Sequence, residues 1–402
     1  MHVPSDRSEV SISRSIYFRR TICLLPLVGL AFALFLPLGC RSGEVLPSAK
    51  VEKVPHSKEV TLSVRENIVR AEDAVRYLDA NTETGDVPSG FIIDRYDNMW
   101  FVSATHSDSA AAGHALVSYD TKTGQRRSFT LPQSFAADKA GPPGKSRLLD
   151  DGRGSIWIGA GRRLLRFDKA SGDFMAFPLP YAPVKAPAGV LDVAADGDGR
   201  VWIARAGLSS LTLFDRNTSR FREVPLKDQA YPLELETNER GAELWLLLAD
   251  KSDGDGPGSL ARFDVDSFVV RRAVVRPDAF GVEPDGDVVY TERLHLRRLK
   301  AAMLASRPIG PRGGMPNVRG LYVGPSGRLW LAVSGGLRRI VPGSPTVDFI
   351  VFGPSVGRPG GEGGRQAWPG RYVYDMAEDS DGNLWFTDPD SYRIGIVRVP
   401  QR

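Results

Sequence analysis

Cysteine and histidine, the side chains most often used as nucleophiles, bases and metal ligands, are scarce in this chain of 402 residues. It has two cysteines and five histidines, of which Cys23 and His2 lie in an N-terminal targeting-like segment and His56 in the polar segment behind it. No nucleophile elbow, phosphate-binding glycine loop, HExxH sequence or dinucleotide fingerprint is present in the sequence. The sequence therefore favours a protein without catalytic activity, and it excludes a cysteine-ligated zinc site.

Arginine gives the stronger chemical lead, because it is concentrated in two long Gly- and Pro-containing segments, 306–318 and 353–371. Together these segments carry a net charge of +4, whereas the chain without residues 1–39 carries 48 positive and 46 negative charges, or +2. Arginine beside an exposed aromatic ring commonly recognises anionic or carbohydrate ligands. The candidate binding residues are Arg307, Arg312, Arg358, Arg365, Trp368 and Arg371. The alternative is a mobile loop with incidental arginines.

Three acidic, glycine-containing turns, at 196–199, 253–256 and 378–382, are possible calcium loops. An EF-hand loop needs further oxygen ligands and a glutamate that closes a 12-residue loop. Here Trp202 and Trp385 follow the first and third turns within a few residues, so these two are expected to be hairpin turns. The second is expected to be a flexible loop, and no resident cofactor is predicted.

The beginning of the chain predicts export. An apolar run at 22–39 follows several arginines and ends at Cys40, which is the layout of an export signal. Leu38 and Gly39 before the cysteine resemble a bacterial lipobox, so residues 1–39 are predicted to be a lipoprotein signal peptide and 40–58 a lipidated tether. The alternative is an uncleaved membrane anchor. Because Arg41 rather than aspartate follows Cys40, we expect the outer membrane, with the protein facing the periplasm.

A repeat defines the elements that must position these residues. A short motif recurs seven times, at spacings of 40 to 57 residues. It consists of a turn residue, one or two further residues, an aliphatic residue and then an aromatic residue. This period is typical of propeller blades. The aromatic anchors, expected to pack between blades, are Trp100, Trp157, Trp202, Trp245, Tyr290, Trp330 and Trp385.

Each repeat contains four short alternating segments, a to d, separated by Asp, Asn and Gly hairpins. Residues 59–402 are therefore predicted to form an all-β, seven-bladed β-propeller of four-stranded antiparallel blades. The last repeat ends before its fourth strand, and an open edge invites aggregation, so an N-terminal strand must close the ring. Two segments could supply it: 60–64, which we favour, and 74–78, which lies in a stretch of helical patterning.

Strand direction sorts the connections onto two faces of such a propeller. The tight a–b and c–d turns lie on one face, called here the turn face, and the b–c and d–a connections lie on the other, the loop face. Both arginine-rich segments fall on the loop face. Long loops on one side of a rigid scaffold are a common place for binding.

The repeat also carries a family resemblance. Residues 380–397, SDGNLWFTDPDSYRIGIV, resemble the repeat of the virginiamycin B lyase (streptogramin lyase) family, in which DGxLWFTE is followed by xxIGxI. Other blades, such as 150–168, are similar to the two-component-regulator propeller repeat. The resemblance covers about residues 89–402 and implies a seven-bladed propeller, but this fold carries lyases, lactonases and pure binding modules alike.

The lyase resemblance implies magnesium-assisted elimination by histidine and acidic residues that follow strand b. At the matching positions only Glu292 and Asp388 could ligate a metal, and His295 lies close behind Glu292 in a segment expected to be a solvated strand. Two carboxylates are few ligands for a catalytic metal site.

The leading hypothesis is therefore an exported lipoprotein whose propeller binds an envelope protein or an anionic glycan. Its contact with the membrane is through the lipid, and the formal charge of +4 is too small for a general nucleic-acid-binding protein. The alternative is a lyase or lactonase that uses Mg²⁺ in the central channel.

Overall fold

The structure is a computed structural model of the chain. It describes residues 65–70, 74–78, 87–104, 114–132, 147–182, 189–227, 230–237, 241, 243–252, 258–309, 318–333, 335–341, 346–352, 375–388 and 393–398. Within these ranges no helix has the length and apolar character needed to cross a membrane.

Two N-terminal strands, β1 (Arg65–Arg70) and β2 (Val75–Tyr77), precede the first blade. Each of the first three blades is then a complete four-stranded antiparallel sheet. Their strands are β3 (Val87–Ile93), β4 (Asn98–Ala104), β5 (His114–Asp120) and β6 (Arg126–Thr130); β7 (Arg147–Asp150), β8 (Ser155–Ala160), β9 (Arg163–Asp168) and β10 (Phe174–Pro178); and β11 (Val190–Ala195), β12 (Val201–Arg205), β13 (Ser210–Asp215) and β14 (Arg220–Pro225).

Blades 4 to 7 repeat this order, and the result confirms the predicted seven-bladed, all-β propeller. Their strands are β15 (Tyr231–Thr237), β16 (Glu243–Ala249), β17 (Ser259–Asp264) and β18 (Val270–Arg272); β19 (Ala279–Val282), β20 (Val288–Glu292), β21 (His295–Lys300) and β22 (Ala305–Pro308); β23 (Val318–Val323), β24 (Leu329–Val333), β25 (Gly336–Ile340) and β26 (Thr346–Val351); and β27 (Met376–Glu378), β28 (Leu384–Asp388) and β29 (Arg393–Val397).

The N-terminal strands close the ring. β2 pairs antiparallel with β29 and supplies strand d of blade 7, while β1 pairs parallel with β26 and adds a fifth strand to blade 6. The preference for 60–64 as the closing strand was therefore wrong. Val75 and Tyr77 alternate with the exposed Arg76, and this period of two suits a strand that covers one face of a sheet.

The seven repeated aromatic residues lie in the hydrophobic clusters, and each side chain is 5% exposed or less. These clusters join neighbouring blades: Trp157 packs with Val201 and Phe214 of blade 3, and Trp385 packs with Val117 of blade 1. The large ring fills the wedge between two twisted sheets.

Aspartates in the a–b turns accept hydrogen bonds from these indoles. Each lies six residues before its tryptophan and accepts the Nε1–H at 2.8–2.9 Å; the residues are Asp94, Asp151, Asp196 and Asp379. The same carboxylates accept backbone N–H groups of their own turns, as Asp196 does from Asp198 and Arg200. The acidic turns at 196 and 379 are thus hairpin turns, as predicted.

Blade 6 satisfies its tryptophan differently. Gly324 stands where blades 1, 2, 3 and 7 have aspartate, and the indole of Trp330 instead donates to Oε1 of Glu378, from blade 7, at 2.9 Å. A Cβ on Gly324 would lie 2.1 Å from Oε2 of Glu378. Glycine is therefore the residue that leaves room for a carboxylate from the neighbouring blade.

Candidate functional site at the central channel

The first strands of neighbouring blades contact one another around the ring, so they line the central channel. Four of their side chains bind the backbone of the next blade. Arg147 Nε donates to the carbonyl of Leu191, and Asp192 accepts from the N–H of Leu235, both at 2.9 Å. Glu236 likewise accepts from the N–H of Val282 at 2.9 Å.

The fourth link joins blades 6 and 7, where the hydroxyl of Tyr322 accepts the N–H of Glu378 at 3.0 Å. Burial raises the pKa of the Tyr322 hydroxyl well above its usual range, so it stays protonated. These polar side chains of the inner ring thus hold adjacent blades together.

A group of charged residues lies where the inner strands begin, at the end of the channel nearest the loop face. Arg147, Asp192, Glu234 and Asp375 come from blades 2, 3, 4 and 7. Burial alone would lower the pKa of Arg147, but the fields of these three carboxylates raise it. Among the described residues three acids surround one guanidinium, so this part of the channel mouth is negative and favours a cationic group over an anion.

Glu236 lies deeper along the same inner strand as Glu234. Its pKa is raised to about 8, mainly by burial and also by the charges of Glu234 and Asp192, while the hydrogen bond from Val282 acts in the opposite direction. At neutral pH this side chain is therefore mostly protonated. Among the described residues of the inner strands no serine, cysteine or histidine lies beside it to form a nucleophile–base pair.

The two carboxylates proposed as metal ligands end strand b of their blades, Glu292 on β20 and Asp388 on β28. Glu292 accepts the N–H of Arg276 at 3.0 Å, and Nε of Arg297 lies 3.9 Å from its other oxygen. A backbone donor and a guanidinium beside the carboxylate do not suit a Mg²⁺ ligand. The side chain of Asp388 lies outside the described residues, so the convergence of the pair stays a prediction.

His295 begins β21 and is exposed, opposite Glu292 across a two-residue hairpin in which Arg293 has a positive φ. Arg307 lies on the outermost strand β22 and is exposed, rather than in the loop that was expected to begin at residue 306. The other predicted loop residues, Arg312, Arg358, Arg365, Trp368 and Arg371, lie outside the described residues, as does Cys40.

One acidic cluster was not singled out from the sequence. Carboxylate oxygens of Glu283, Asp285 and Asp287, in the a–b turn of blade 5, lie within 4.8 Å of one another. Arg298 donates to Glu283 at 2.6 Å, and Lys300 forms an ion pair with Asp287. These cations already compensate the cluster, so we assign it to the stability of the turn.

The channel residues were missed because their partners are backbone groups about 45 residues away in the sequence, or 56 for Tyr322. A signal was nevertheless present: acids and an arginine recur at the start of strand a, where a core strand should be apolar. The repeat alignment alone would have located Arg147 and Asp192 near one another.

Comparison with known proteins agrees with this fold. The sequence profile described as two component regulator propeller matches residues 367–390, which lie in and before blade 7. No curated protein matches the sequence.

Solved structures with the same fold include a streptogramin B lyase, with a TM-score of 0.59 and 16% identity, over 81% of this chain and 97% of that one. A catalytically inactive virginiamycin B lyase from Staphylococcus aureus with quinupristin has a TM-score of 0.60 and 14% identity, over 81% and 99%. PorZ, a bacterial surface component of the type-IX secretion system of Porphyromonas gingivalis, has a TM-score of 0.53 and 12% identity, over 76% and 46%. At these identities the likeness concerns the fold alone.

Proposed function

We propose that this chain is an exported binding propeller of the cell envelope, anchored through Cys40, which captures an anionic partner with the arginine-rich loops of its loop face. The partner is an acidic glycan or an acidic protein surface. In this role the propeller is a rigid scaffold and performs no chemistry of its own.

The observation that carries the proposal is that polar side chains of the inner strands form hydrogen bonds to the protein backbone. In a catalytic propeller the polar groups of the channel must be available to substrate, whereas here Arg147, Asp192, Glu236 and Tyr322 bind the backbone of the next blade. Such links favour a stiff ring that presents its loops in fixed positions.

Charge supports the choice of an anionic partner for the loops. Segments 306–318 and 353–371 hold five arginines and one glutamate, a net charge of +4 that is twice the +2 of the chain after residue 39. One of the five, Arg307, lies on strand β22 at the start of the first segment. Arginine suits carboxylate and phosphate groups because its guanidinium forms paired, charge-assisted hydrogen bonds. The negative channel mouth would repel the same ligand and confine it to the rim.

The test is a triple charge reversal, Arg358→Glu, Arg365→Glu and Arg371→Glu, in the exported protein. We expect loss of capture of envelope material in a pull-down, together with loss of binding to a heparin-type acidic polysaccharide column. The matched control reverses three exposed arginines on outer strands, Arg127, Arg220 and Arg271, which changes the total charge equally.

Protease or glycosidase treatment of the captured material then distinguishes the two kinds of anionic partner. Equal capture by the triple variant and the wild type would refute the proposal. Equal loss in the outer-strand control would show that only total charge matters, and it would also refute a loop-specific site.

The alternative function, a magnesium-dependent lyase or lactonase, depends on Glu292 and Asp388. The contacts of Glu292 with Arg276 and Arg297 count against it. Its own test is release of product from a cyclic ester substrate with and without Mg²⁺. Turnover that is lost in both Glu292→Gln and Asp388→Asn would favour this alternative over the binding function.

A further inference from the structure

On the turn side, two neighbouring interfaces are filled by aromatic rings around the recurring tryptophan of the repeat. Between blades 1 and 2, Trp100 packs against Phe129 and Phe167, with ring centroids 6.3 and 5.6 Å away, and Phe174 lies 4.9 Å from Phe167. Between blades 2 and 3 the matching rings are Trp157, Phe177, Phe214 and Phe221. Three phenylalanines thus accompany one tryptophan at each of these two interfaces.

The strand registers identify the same three positions at the interface of blades 7 and 1, where the ring closes. Tyr119 matches Phe167 and Phe214, and its ring lies 6.0 Å from Trp385. Arg126, opposite Tyr119 on the next strand, stands where blades 2 and 3 have Phe174 and Phe221.

The third position is taken by Leu78, whose N–H bonds the carbonyl of Ile394, in place of Phe129 and Phe177. Two of the three phenylalanine rings are therefore replaced by non-aromatic side chains at this interface. A leucine is smaller than phenylalanine, and Arg126 is exposed to solvent.

A cavity of about 680 Å³ lies at this place. Tyr77, Leu78, Tyr119 and Trp385 line it, as does the c–d turn of blade 1 at 121–124. Two positions that hold phenylalanine at the first two interfaces thus carry no ring beside this cavity, which leaves space next to Tyr119 and Trp385.

Charged residues on the cavity wall define its polarity. Asp379 is bonded to the indole of Trp385 and Lys122 to Asp97, so both are used within the fold. The other charged residues that line the cavity, Arg76, Arg398 and Asp381, are exposed. Two guanidinium groups against one carboxylate favour a ligand with a negative group, and guanidinium also stacks on aromatic rings.

The chain that continues from Leu78 into blade 1 offers no replacement ring. Residues 79–86 read Asp-Ala-Asn-Thr-Glu-Thr-Gly-Asp and contain no aromatic side chain. A ring that fills this space would therefore have to come from outside this segment.

We propose that the cavity between blades 7 and 1 is a binding site for an aromatic ring that carries a carboxylate. The ring occupies the space of the missing phenylalanines beside Trp385 and Tyr119, and the carboxylate meets Arg76 and Arg398. This site is distinct from the loop face and does not depend on the function proposed above.

The experiment titrates the full chain with indole-3-acetate by calorimetry, and with tryptamine, the same ring with a positive group. We expect saturable binding of indole-3-acetate with a Kd of about 1 mM or lower and at least about tenfold weaker binding of tryptamine. Absence of saturation would overturn the site. Equal affinity for the two compounds would overturn the assignment of an anionic ligand.

Two variants, Leu78→Phe in the cavity wall and Arg126→Phe opposite the lining residue Tyr119, introduce the rings that the interfaces of blades 1–2 and 2–3 have at these positions. Each is expected to raise the unfolding temperature, because it fills a void, and to weaken indole-3-acetate binding at least about tenfold. The matched control is Arg127→Phe, one residue away on the same strand and also exposed, which should keep wild-type binding. A folded, stabilised variant of either kind that binds like the wild type would refute the proposal.

Discussion

Glu378 of blade 7 accepts the indole N–H of Trp330 in blade 6, and Gly324 leaves room for it, so substitutions at these two positions test how the blades are joined. Glu378→Ala removes the carboxylate that accepts from the fully buried indole of Trp330 at 2.9 Å and from the exposed hydroxyl of Ser326 at 2.6 Å. The hydroxyl can turn to water, but the indole N–H is left without its acceptor. We expect a loss of about 2–4 kcal/mol in the free energy of unfolding.

Gly324→Asp introduces the residue found in the turns of blades 1, 2, 3 and 7, but its Cβ falls 2.1 Å from Oε2 of Glu378. Crowding and the repulsion of two carboxylates should again cost about 2–4 kcal/mol. In the double variant, Gly324→Asp with Glu378→Ala, the new aspartate replaces Glu378 as the acceptor for the indole of Trp330, as aspartate does in blades 1 to 3. We therefore expect a stability within about 1 kcal/mol of the wild type.

The four proteins are compared by guanidinium unfolding, followed by circular dichroism. We expect a favourable coupling of at least about 2 kcal/mol between the two substitutions. A double variant that loses the sum of the two single losses would refute it, because the carboxylate would then have no interchangeable role. Glu378→Gln is a useful companion, since it keeps an acceptor for the indole and should lose less than Glu378→Ala.

Two further predictions concern the channel and the anchor. The pKa of Glu236 is about 8 in the folded protein and 4.5 at its ordinary value, so the folded state holds this proton more tightly than the unfolded chain does. The free energy of unfolding should therefore fall as pH rises from about 4.5 to 8, by up to about 1.4 kcal/mol per pH unit. Urea unfolding at pH 5 and pH 8 should show a smaller fall in Glu236→Gln, and an unchanged fall would contradict this origin. Cys40→Ser should abolish labelling with palmitate and release the exported protein from the membrane; a variant that stays with alkali-washed membranes at unprocessed mass would indicate a spanning anchor instead.

The architecture was predictable because each blade repeats the same physical requirement. A turn with aspartate or glycine, then a buried aromatic at a spacing of 40 to 57 residues, is visible without any partner information. Even the role of the acidic turns followed from local sequence, since Asp196 and Asp379 bond to N–H groups two and four residues away.

The closing strand was misjudged for a different reason. Val75–Tyr77 is only three residues long, and its surroundings have apolar residues at helical spacing, so the local pattern favoured helix. What decides its structure is the unpaired edge of β29, which lies more than 300 residues away in sequence. Tertiary pairing of this kind overrides a weak local pattern.

The candidate sites were the least predictable part. Glu292 and Asp388, the carboxylates chosen by resemblance, end their strands as expected. Glu292, however, contacts Arg276, just before blade 5, and Arg297, within blade 5. The channel links depend on which backbone group of the next blade faces each side chain. No spacing rule within a single repeat contains that information.

The interface between blades 7 and 1 differs from the others because it is built from both ends of the propeller. Its strand d comes from the N-terminal segment, which is not a copy of the repeat, and Leu78 stands there where blades 1 and 2 have Phe129 and Phe177. A ligand in that cavity would contact β2 and blade 1 together and so would bind only the closed ring. Ligand at 100 times its Kd would then stabilise the closed ring by about 2.7 kcal/mol, which makes ring closure itself the property that such a ligand controls.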